Sequence, residues 1–199
     1  IGKNPISIKK FNKILNFDVK KKTIEAEAGI LLNDLIDKTL KKKLIIKSLP
    51  GSRYVTLGGI IASNTQGKTT KKCFIKDYII YLKVFHNRKV INCSLYQNKK
   101  LFLSTIGGKG CTGIIISAKL RLDKIYNSSI LLQKIFFDDL NDLKSKFLKL
   151  KKKEYLVAWV DNLSTKLDGI IFYASHKQKL PIKIKRKELM IPSIFIYFL

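Results

Sequence analysis

Glycines and small polar residues are concentrated in two stretches of this chain, residues 51–67 and residues 107–113. Glycine adopts backbone angles that other residues avoid and lets amide groups approach a ligand closely. Successive amides in such loops form concave nests that bind phosphate oxygens without requiring a lysine. We therefore treat these stretches, named here the first and second glycine segments, as candidate phosphate-binding loops. The alternative is that these stretches are ordinary turns. The first segment is too long and too regularly ordered for that interpretation.

One alternative for the first glycine segment is the P-loop of a nucleotide triphosphatase. Residues 62–69 match the loose Walker A pattern, with Ala62 at the first glycine position and Lys68 at the lysine position. A P-loop connects a buried strand to a helix, because the amides and the helix N-terminus together hold the phosphates. The residues before this stretch do not resemble a buried strand, and the residues after it lack helical periodicity. The context therefore disfavours a P-loop.

The second glycine segment has the spacing G-x-G-x-x-G, the dinucleotide-binding fingerprint, at residues 108–113. That fingerprint requires a strand before it, a helix after it, and an acidic residue about 20 positions further on. Here a strand is predicted to follow, and between residues 125 and 137 no acidic residue occurs before Asp138. The dinucleotide interpretation is therefore disfavoured as well.

Hydrophobic periodicity predicts the elements that must position these loops. Strands are predicted at residues 24–28, 78–85, 89–93, 114–122, 130–137, 155–160 and 169–174. Helices are predicted at residues 31–40 and 138–150, with shorter helical turns within 56–67 and 99–105. The apolar face of the 138–150 helix is predicted to comprise Leu140, Leu143, Phe147 and Leu150. This order predicts an α+β fold with two domains, residues 1–125 and residues 126–199.

The chain carries 40 Lys and Arg against 14 Asp and Glu, a formal net charge of +26. Such an excess is typical of proteins that bind nucleic acid or anionic membranes. Only Arg53, Arg88, Arg121 and Arg186 are arginines, however, and nucleic-acid readers rely on the bidentate guanidinium group. The lysines are also spread along the chain with residues that share A/T-rich codons. We interpret most of the charge as a solvated surface, and a non-enzymatic polyanion-binding protein stays the alternative.

The cysteines and histidines predict no metal site. Cys73, Cys93 and Cys111 are odd in number and lie in no ligand spacing, so we expect packing residues in a reduced, cytoplasmic compartment. His86, in a predicted turn, and His176, at a predicted strand end, are expected at the surface.

The sequence contains no apolar run of the roughly 18 residues that would span a bilayer. It begins without methionine and ends on the apolar stretch IPSIFIYFL at residues 191–199. Because a complete domain rarely exposes such a stretch, we expect the chain to be part of a longer protein.

Several stretches together resemble one known family. Residues 50–62, PGSRYVTLGGIIA, with Asn64 and Gly67-Lys68 beyond them, resemble a pyrophosphate loop and short helix of the vanillyl-alcohol-oxidase (PCMH-type) FAD-binding oxidoreductases. Residues 24–29 and residues 101–115 resemble two further segments of that family. The likeness is strongest to its sugar-oxidising members and continues into residues 158–167. It covers most of the chain from about residue 8 onward.

The resemblance implies FAD as the cofactor and a PCMH-type fold followed by the start of a substrate-cap domain. Gly51 and residues 56–59 would contact the FAD pyrophosphate, residues 66–69 would lie near the ribityl and ring end, and Ile115 would offer backbone groups. The candidate FAD-binding residues are Gly51, Ser52, Thr56, Leu57, Gly58, Gly59, Asn64, Gln66, Gly67, Lys68, Thr69 and Ile115. Position 66 is Gln where the sugar oxidases have His, which puts any polar role of that side chain in doubt.

The resemblance also implies an activity, hydride transfer from an alcohol carbon of a sugar or polyprenyl-phosphosugar to the flavin. The protein would then hold and aim the cofactor, since the flavin performs the redox step. The family's first flavin loop would precede residue 1, and its substrate-handling residues would follow residue 199, so no catalytic residue is assigned. A partner reductase and peripheral association with the inner membrane are further possibilities; nucleic acid is not an expected partner.

Overall fold

An antiparallel five-stranded sheet organises the first part of the chain in this computed structural model, which describes residues 6–176. Its spatial order is β1-β2-β6-β4-β5. The strands are β1 (Ile14–Asp18), β2 (Thr23–Glu27), β4 (Ile79–His86), β5 (Lys89–Ser94) and β6 (Ile114–Arg121). A separate short pair joins β3 (Leu44–Ile45) to β7 (Asp123–Lys124). The central strand β6 pairs on one side with β2 and on the other with β4.

Three helices and one 3-10 helix accompany this sheet. They are α1 (Leu32–Leu40), α2 (Leu57–Ala62), α3 (Lys99–Thr105) and the 3-10 helix Ile75–Tyr78. Alternate residues of the central strands, such as Ile24, Leu82 and Leu120, are fully buried. They pack with Leu35 of α1 and Leu57 of α2 in one hydrophobic cluster. Burial of this apolar surface is the main force that holds the helices, and the loops attached to them, against the sheet.

A second antiparallel sheet of three strands follows, with the order β8-β10-β9. Its elements are β8 (Ile130–Phe137), α4 (Leu140–Leu150), β9 (Tyr155–Val160) and β10 (Gly169–His176). Phe137, Leu156 and Ile171 form a small buried core on one face, and Leu143, Phe147 and Leu150 of α4 pack against it. On the opposite face the side chains of Leu132, Phe136 and Trp159 are exposed. We call residues 6–125 the first unit and residues 126–176 the second unit.

The predicted α+β class is confirmed, and each predicted strand and helix has a counterpart in the described residues. One face assignment is wrong: Leu140 is 50% exposed, because it lies in the first turn of α4 beyond the edge of the core. The predicted domain boundary at residues 125 and 126 stays a prediction, and the two hydrophobic clusters lie on either side of it. The apolar stretch at residues 191–199 lies outside the described residues.

Within residues 6–176, no helix is both long enough and apolar enough to cross a membrane.

Candidate functional site

The two glycine segments, far apart in sequence, lie against each other in the structure. The amide of Gly107 donates to the carbonyl of Ile61 at 3.0 Å, and the amide of Lys109 donates to the carbonyl of Ala62 at 2.9 Å. Gly107 has a φ of +78°, and a Cβ added to it would lie 3.3 Å from the Cβ of Asn64. The end of α2 and the second glycine segment thus form one continuous surface.

Helix α2 is fixed at its start by hydrogen bonds within the chain. The Thr56 hydroxyl accepts from the amide of Gly59 at 3.2 Å, which is an N-cap interaction. The amide of Leu57 donates to the carbonyl of Ile30, and the amide of Gly58 donates to the carbonyl of Ala28. The amides of residues 57–59 are therefore occupied, and these residues shape the site by their position and small size.

Gly58 and Gly59 serve different purposes in this helix. A Cβ on Gly58 would lie 3.0 Å from the Cβ of Ala28, so Gly58 allows α2 to pack closely on the residues after β2. Gly59 is exposed, and a Cβ there would approach only the Thr56 hydroxyl, at 3.1 Å. Packing therefore explains Gly58, whereas Gly59 leaves the outer surface of the helix open to an approaching ligand.

The loop before α2 contains free backbone donors. Among the described residues, the amides of Gly51, Ser52 and Arg53 have no acceptor. Gly51 is exposed, and a Cβ built on it would meet no atom within 4 Å. The Arg53 side chain is held by Asp37 of α1 at 2.8 Å. Packing does not require glycine at position 51. Three consecutive free amides, the first of them on this glycine, are suited to binding phosphate oxygens.

Gly67 brings the end of the first glycine segment close to the residues that precede Gly51. Its amide donates to the carbonyl of Cys73 at 2.7 Å and to the hydroxyl of Ser48 at 3.1 Å. A Cβ on Gly67 would lie 2.6 Å from the Cα of Ser48, so any other residue would clash with the backbone. The Ser48 hydroxyl also donates to the carbonyl of Cys73. Ser48 was not predicted as a site residue, because a lone serine after an apolar stretch carries no sequence signal.

Residues 68–70 are attached to the second unit. The amide of Leu156 donates to the carbonyl of Lys68 at 2.9 Å, and the amide of Thr70 donates to the carbonyl of Glu154 at 3.1 Å. Thr69 is 6% exposed and forms an antiparallel bridge with Tyr155. Lys68 therefore lies in an extended segment paired with β9 and begins no helix, which agrees with rejection of the P-loop hypothesis.

The second glycine segment leads directly into the central strand. Gly113 has a φ of +138°, and a Cβ there would lie 2.4 Å from the carbonyl oxygen of Phe85. Beyond it, Ile115 is buried in β6 and pairs with Val84, whereas the next pair in the register is Ser117 with Lys83. A strand therefore follows the G-x-G-x-x-G spacing, as expected from the rejection of the dinucleotide fingerprint.

Asn64 lies where the two glycine segments meet and carries an unsatisfied polar atom. Its φ is +43°, and its buried Oδ1 has no hydrogen-bond partner among residues 6–176. A buried acceptor without a partner is costly in a folded protein, so such a group indicates a missing donor. Together with the free amides of residues 51–53 and the open Gly59, it fits a long ligand that carries phosphate groups. The residue assignments within this site stay predictions.

The two histidines differ in their relation to this site, and one of them corrects a prediction. His176 is buried, with 5% of its side chain exposed, and its Nδ1 lies 3.0 Å from Oε1 of Glu154. The prediction of a surface position was wrong for His176, because its ring packs against Tyr155, with centroids 5.7 Å apart, and against the Glu154 carboxylate. His86 ends β4, where its Nδ1 lies 2.6 Å from the carbonyl oxygen of Thr112.

The three cysteines are unpaired and differ in their environments. Cys93 is fully buried, which raises the pKa of its thiol to about 11 and makes it a packing residue, as predicted. Cys111 is exposed at the second glycine segment, so the packing interpretation was wrong for it. Within the described part of the chain, His, Cys, Asp and Glu side chains form no cluster that could hold a metal ion.

Comparison with known proteins identifies the ligand class that this surface fits. Residues 2–93 match the family model of an FAD binding domain. L-gulonolactone oxidases of Bos taurus and Mus musculus are 29% and 30% identical to the chain over 182 residues, covering 88% of this chain and 39% of each relative. Decaprenylphosphoryl-beta-D-ribose oxidase of Mycolicibacterium smegmatis is 28% identical over 120 residues, covering 59% of this chain and 26% of the relative.

The fold has a counterpart among solved structures. The alkyldihydroxyacetonephosphate synthase structure superimposes with a TM-score of 0.70 and 15% identity, covering 85% of this chain and 37% of that one. This likeness supports the fold alone. The chain spans about two fifths of the length of the L-gulonolactone oxidases that it matches.

Proposed function

Because the chain belongs to the vanillyl-alcohol-oxidase (PCMH-type) family of FAD-binding oxidoreductases, we propose that it forms one side of the FAD site in a sugar-oxidising enzyme. The observation that carries this proposal is the contact between the two glycine segments, together with the free amides of residues 51–53 at the start of the first segment. The named relatives act on sugar lactones and on a lipid-linked ribose, which supports an alcohol carbon of a sugar or lipid-linked sugar as the position oxidised.

We call the surface formed by the two glycine segments, residues 51–67 and 107–113, the FAD cradle. Each part of it has a physical role in this proposal. The amides of residues 51–53 hold the pyrophosphate, and Gly59 lets it lie against α2. Asn64 accepts a hydrogen bond from the cofactor or an ordered water, which satisfies its buried Oδ1. Residues 66–69 line the ribityl and ring end, where Gln66 stands, and Ile115 offers backbone groups. When bound, FAD supplies the hydride acceptor for oxidation of the alcohol. No residue of this chain is assigned a catalytic role.

The electron acceptor and the cellular location belong to the same proposal. We place the enzyme in the cytoplasm, which the three unpaired cysteines support. The net charge of +26 supports peripheral contact with the anionic inner membrane, where a lipid-linked sugar would be found. The reduced flavin is reoxidised either by oxygen or by a partner protein. Turnover that requires an added electron acceptor, and does not proceed with oxygen alone, would indicate a partner.

Cofactor binding is tested with the chain extended on both sides by the sequence that flanks it in its gene, because the family resemblance implies a first flavin loop before residue 1 and substrate-handling residues after residue 199. FAD titration should produce a shifted flavin absorbance band and quenched flavin fluorescence, with a midpoint that riboflavin does not reproduce, because the pyrophosphate is the group bound by residues 51–53. A chain that takes up no FAD would overturn the assignment of the cradle. Turnover of L-gulonolactone and D-lactate with a dye acceptor then tests the class of alcohol.

A polyanion-binding protein without enzymatic activity is the second candidate, and the charge of +26 is the observation that favours it. Its binding to DNA or to anionic vesicles would weaken steeply with salt, because each lysine contact releases counterions. Tight salt-dependent binding of DNA together with no FAD uptake would favour this candidate. FAD uptake that persists at high salt would favour the flavoprotein.

A further inference from the structure

A partly buried ion pair joins the two units next to residues 68–70. The Glu154 carboxylate accepts from the ammonium of Lys47 at 2.5 Å, and about a fifth of each side chain is exposed (21% and 21%). The same carboxylate accepts from the backbone amide of His176 at 2.8 Å and lies 3.0 Å from its Nδ1. One side chain thus connects the first unit with two strands of the second unit.

The backbone around Glu154 continues this connection. Its carbonyl accepts from the amide of Thr70, and the carbonyl of Lys153 accepts from the Thr70 hydroxyl at 2.6 Å. With the bond from Leu156 to Lys68, these contacts attach residues 68–70 to the start of β9 through one antiparallel bridge, between Thr69 and Tyr155. The segment that would line the ring end of the flavin is therefore held by the second unit.

Lys47 connects the Glu154 carboxylate to Gly67, at the end of the first glycine segment. It precedes Ser48, whose hydroxyl accepts from the amide of Gly67. A shift of Lys47 would therefore displace Ser48 and, through it, Gly67 at the end of the first glycine segment.

Glu154 is ionised at neutral pH in this environment. Burial by itself would raise the pKa of its carboxyl group, but hydrogen bonds from Lys47 and His176 outweigh burial and hold the pKa below its usual range. A partly buried ion pair such as this one is a modest source of stability, because desolvation offsets much of the Coulomb attraction. Its geometric effect is larger, since a charged group held by three donors has one favourable position.

We propose that Glu154 is a positioning residue, which fastens the second unit onto residues 66–70 and so sets the distance between the substrate unit and the ring end of the flavin. The inference rests on the proposed function, since residues 66–69 are taken to line the flavin. Glu154 contacts neither the free amides of residues 51–53 nor Gly59. Loss of its charge should therefore disturb the position of the cofactor ring more than the affinity for FAD.

Hydrogen exchange of the full chain tests the attachment without any ligand. In Glu154→Gln, the amides of Gly67, Thr70 and Leu156 should exchange about tenfold faster or more, since their protection depends on the closed junction. Lys47→Met should give the same pattern from the other partner. The matched control is Asp142→Asn, which removes an equally short ion pair with Lys146 inside α4. Unchanged exchange at these three amides in both Glu154→Gln and Lys47→Met would overturn the proposal.

The spectrum of bound flavin distinguishes a positioning role from a purely structural one. An ion pair that only stabilised the fold would leave this spectrum unchanged. In Glu154→Gln the visible circular dichroism of bound FAD should change in shape, while the dissociation constant for FAD changes by less than about threefold. For turnover of a sugar lactone by the chain extended at both ends, KM should rise by a larger factor than kcat falls. An unaltered flavin spectrum and KM, with faster exchange, would overturn the positioning role. Failure of the extended wild-type chain to bind FAD would instead overturn the proposed function, and exchange would still decide the attachment.

Discussion

Single glycines in the two segments meet different physical demands, and the structure separates them. Gly67 and Gly113 stand where a Cβ would enter neighbouring backbone, at 2.6 Å from Ser48 and 2.4 Å from Phe85. Gly51 stands in open space, where a Cβ would meet no atom within 4 Å. The sequence alone presents all three as members of glycine-rich loops. Only the structure distinguishes glycines required by the fold from a glycine that is left open for a ligand.

Replacement of Gly113 by alanine should destabilise the first unit. The residue has a φ of +138°, and the new methyl group would clash with the carbonyl of Phe85, so β4 and β6 must separate locally. We expect a loss of about 3 kcal/mol in the free energy of unfolding, from backbone strain and overpacking together. Urea denaturation monitored by circular dichroism measures it. A loss below about 1 kcal/mol would contradict the packing described for this turn.

Replacement of Gly51 by alanine should leave stability unchanged within about 0.5 kcal/mol, because the methyl group points into solvent and contacts nothing. FAD affinity should instead fall about tenfold, since the methyl group would occupy the space in which the pyrophosphate approaches the amides. Flavin fluorescence titration measures the change. Equal affinity in wild type and Gly51→Ala would remove Gly51 from the site.

At the scale of elements, hydrophobic periodicity predicted the strands and helices that bury one face against the core. It missed the segments that are extended only because they pair with a distant strand. The apolar alternation of β2 and the helical spacing of α1 follow directly from burial against one core. Strand β1 escaped prediction because Ile14 and Leu15 are adjacent apolar residues among lysines, and only pairing with β2 makes the segment extended. The pairing of residues 68–70 with β9 was equally invisible, since neither partner carries a pattern that names the other.

Two substitutions in helix α4 test which of its residues pack against the core of the second unit. Phe147 packs against the core of the second unit, so Phe147→Ala should lower the stability of that unit by about 2 kcal/mol. Leu140 was predicted on the same face but is 50% exposed, so Leu140→Ala should change stability by less than about 0.5 kcal/mol. Thermal unfolding followed by the fluorescence of Trp159, the one tryptophan of the chain, reports on this unit. Similar losses for both variants would contradict the face described here.

For the whole molecule, the family and its cofactor could be predicted from the sequence, whereas the attachment of the two units could not. Glycine motifs are local and keep their order along the chain, so residues 50–67 and 107–115 were sufficient to predict the cradle. The ion pair between Lys47 and Glu154 joins residues more than one hundred positions apart. In a chain with 40 basic residues, no sequence feature distinguishes this lysine from the others.

The ion pair at the junction should make the attachment of the units depend on pH. The folded pKa of Glu154 lies below its unfolded value of about 4.3. Its contribution to stability is therefore fully present above that value and is lost as the pH falls through the folded pKa. At pH 7 we expect Glu154→Gln to be less stable than wild type by about 1–2 kcal/mol, because Lys47 and His176 lose a charged acceptor.

Urea unfolding of both proteins at pH 7, 5 and 3 measures this difference directly. The repulsion among the many lysines grows as acid neutralises carboxylates, but it acts on wild type and Glu154→Gln alike and cancels in the difference. The difference should persist at pH 5 and shrink toward zero at pH 3, where the wild-type carboxyl group is increasingly protonated. A difference that is equal at pH 7 and pH 3 would mean that the shape of the Glu154 side chain, and not its charge, holds the second unit on the cradle.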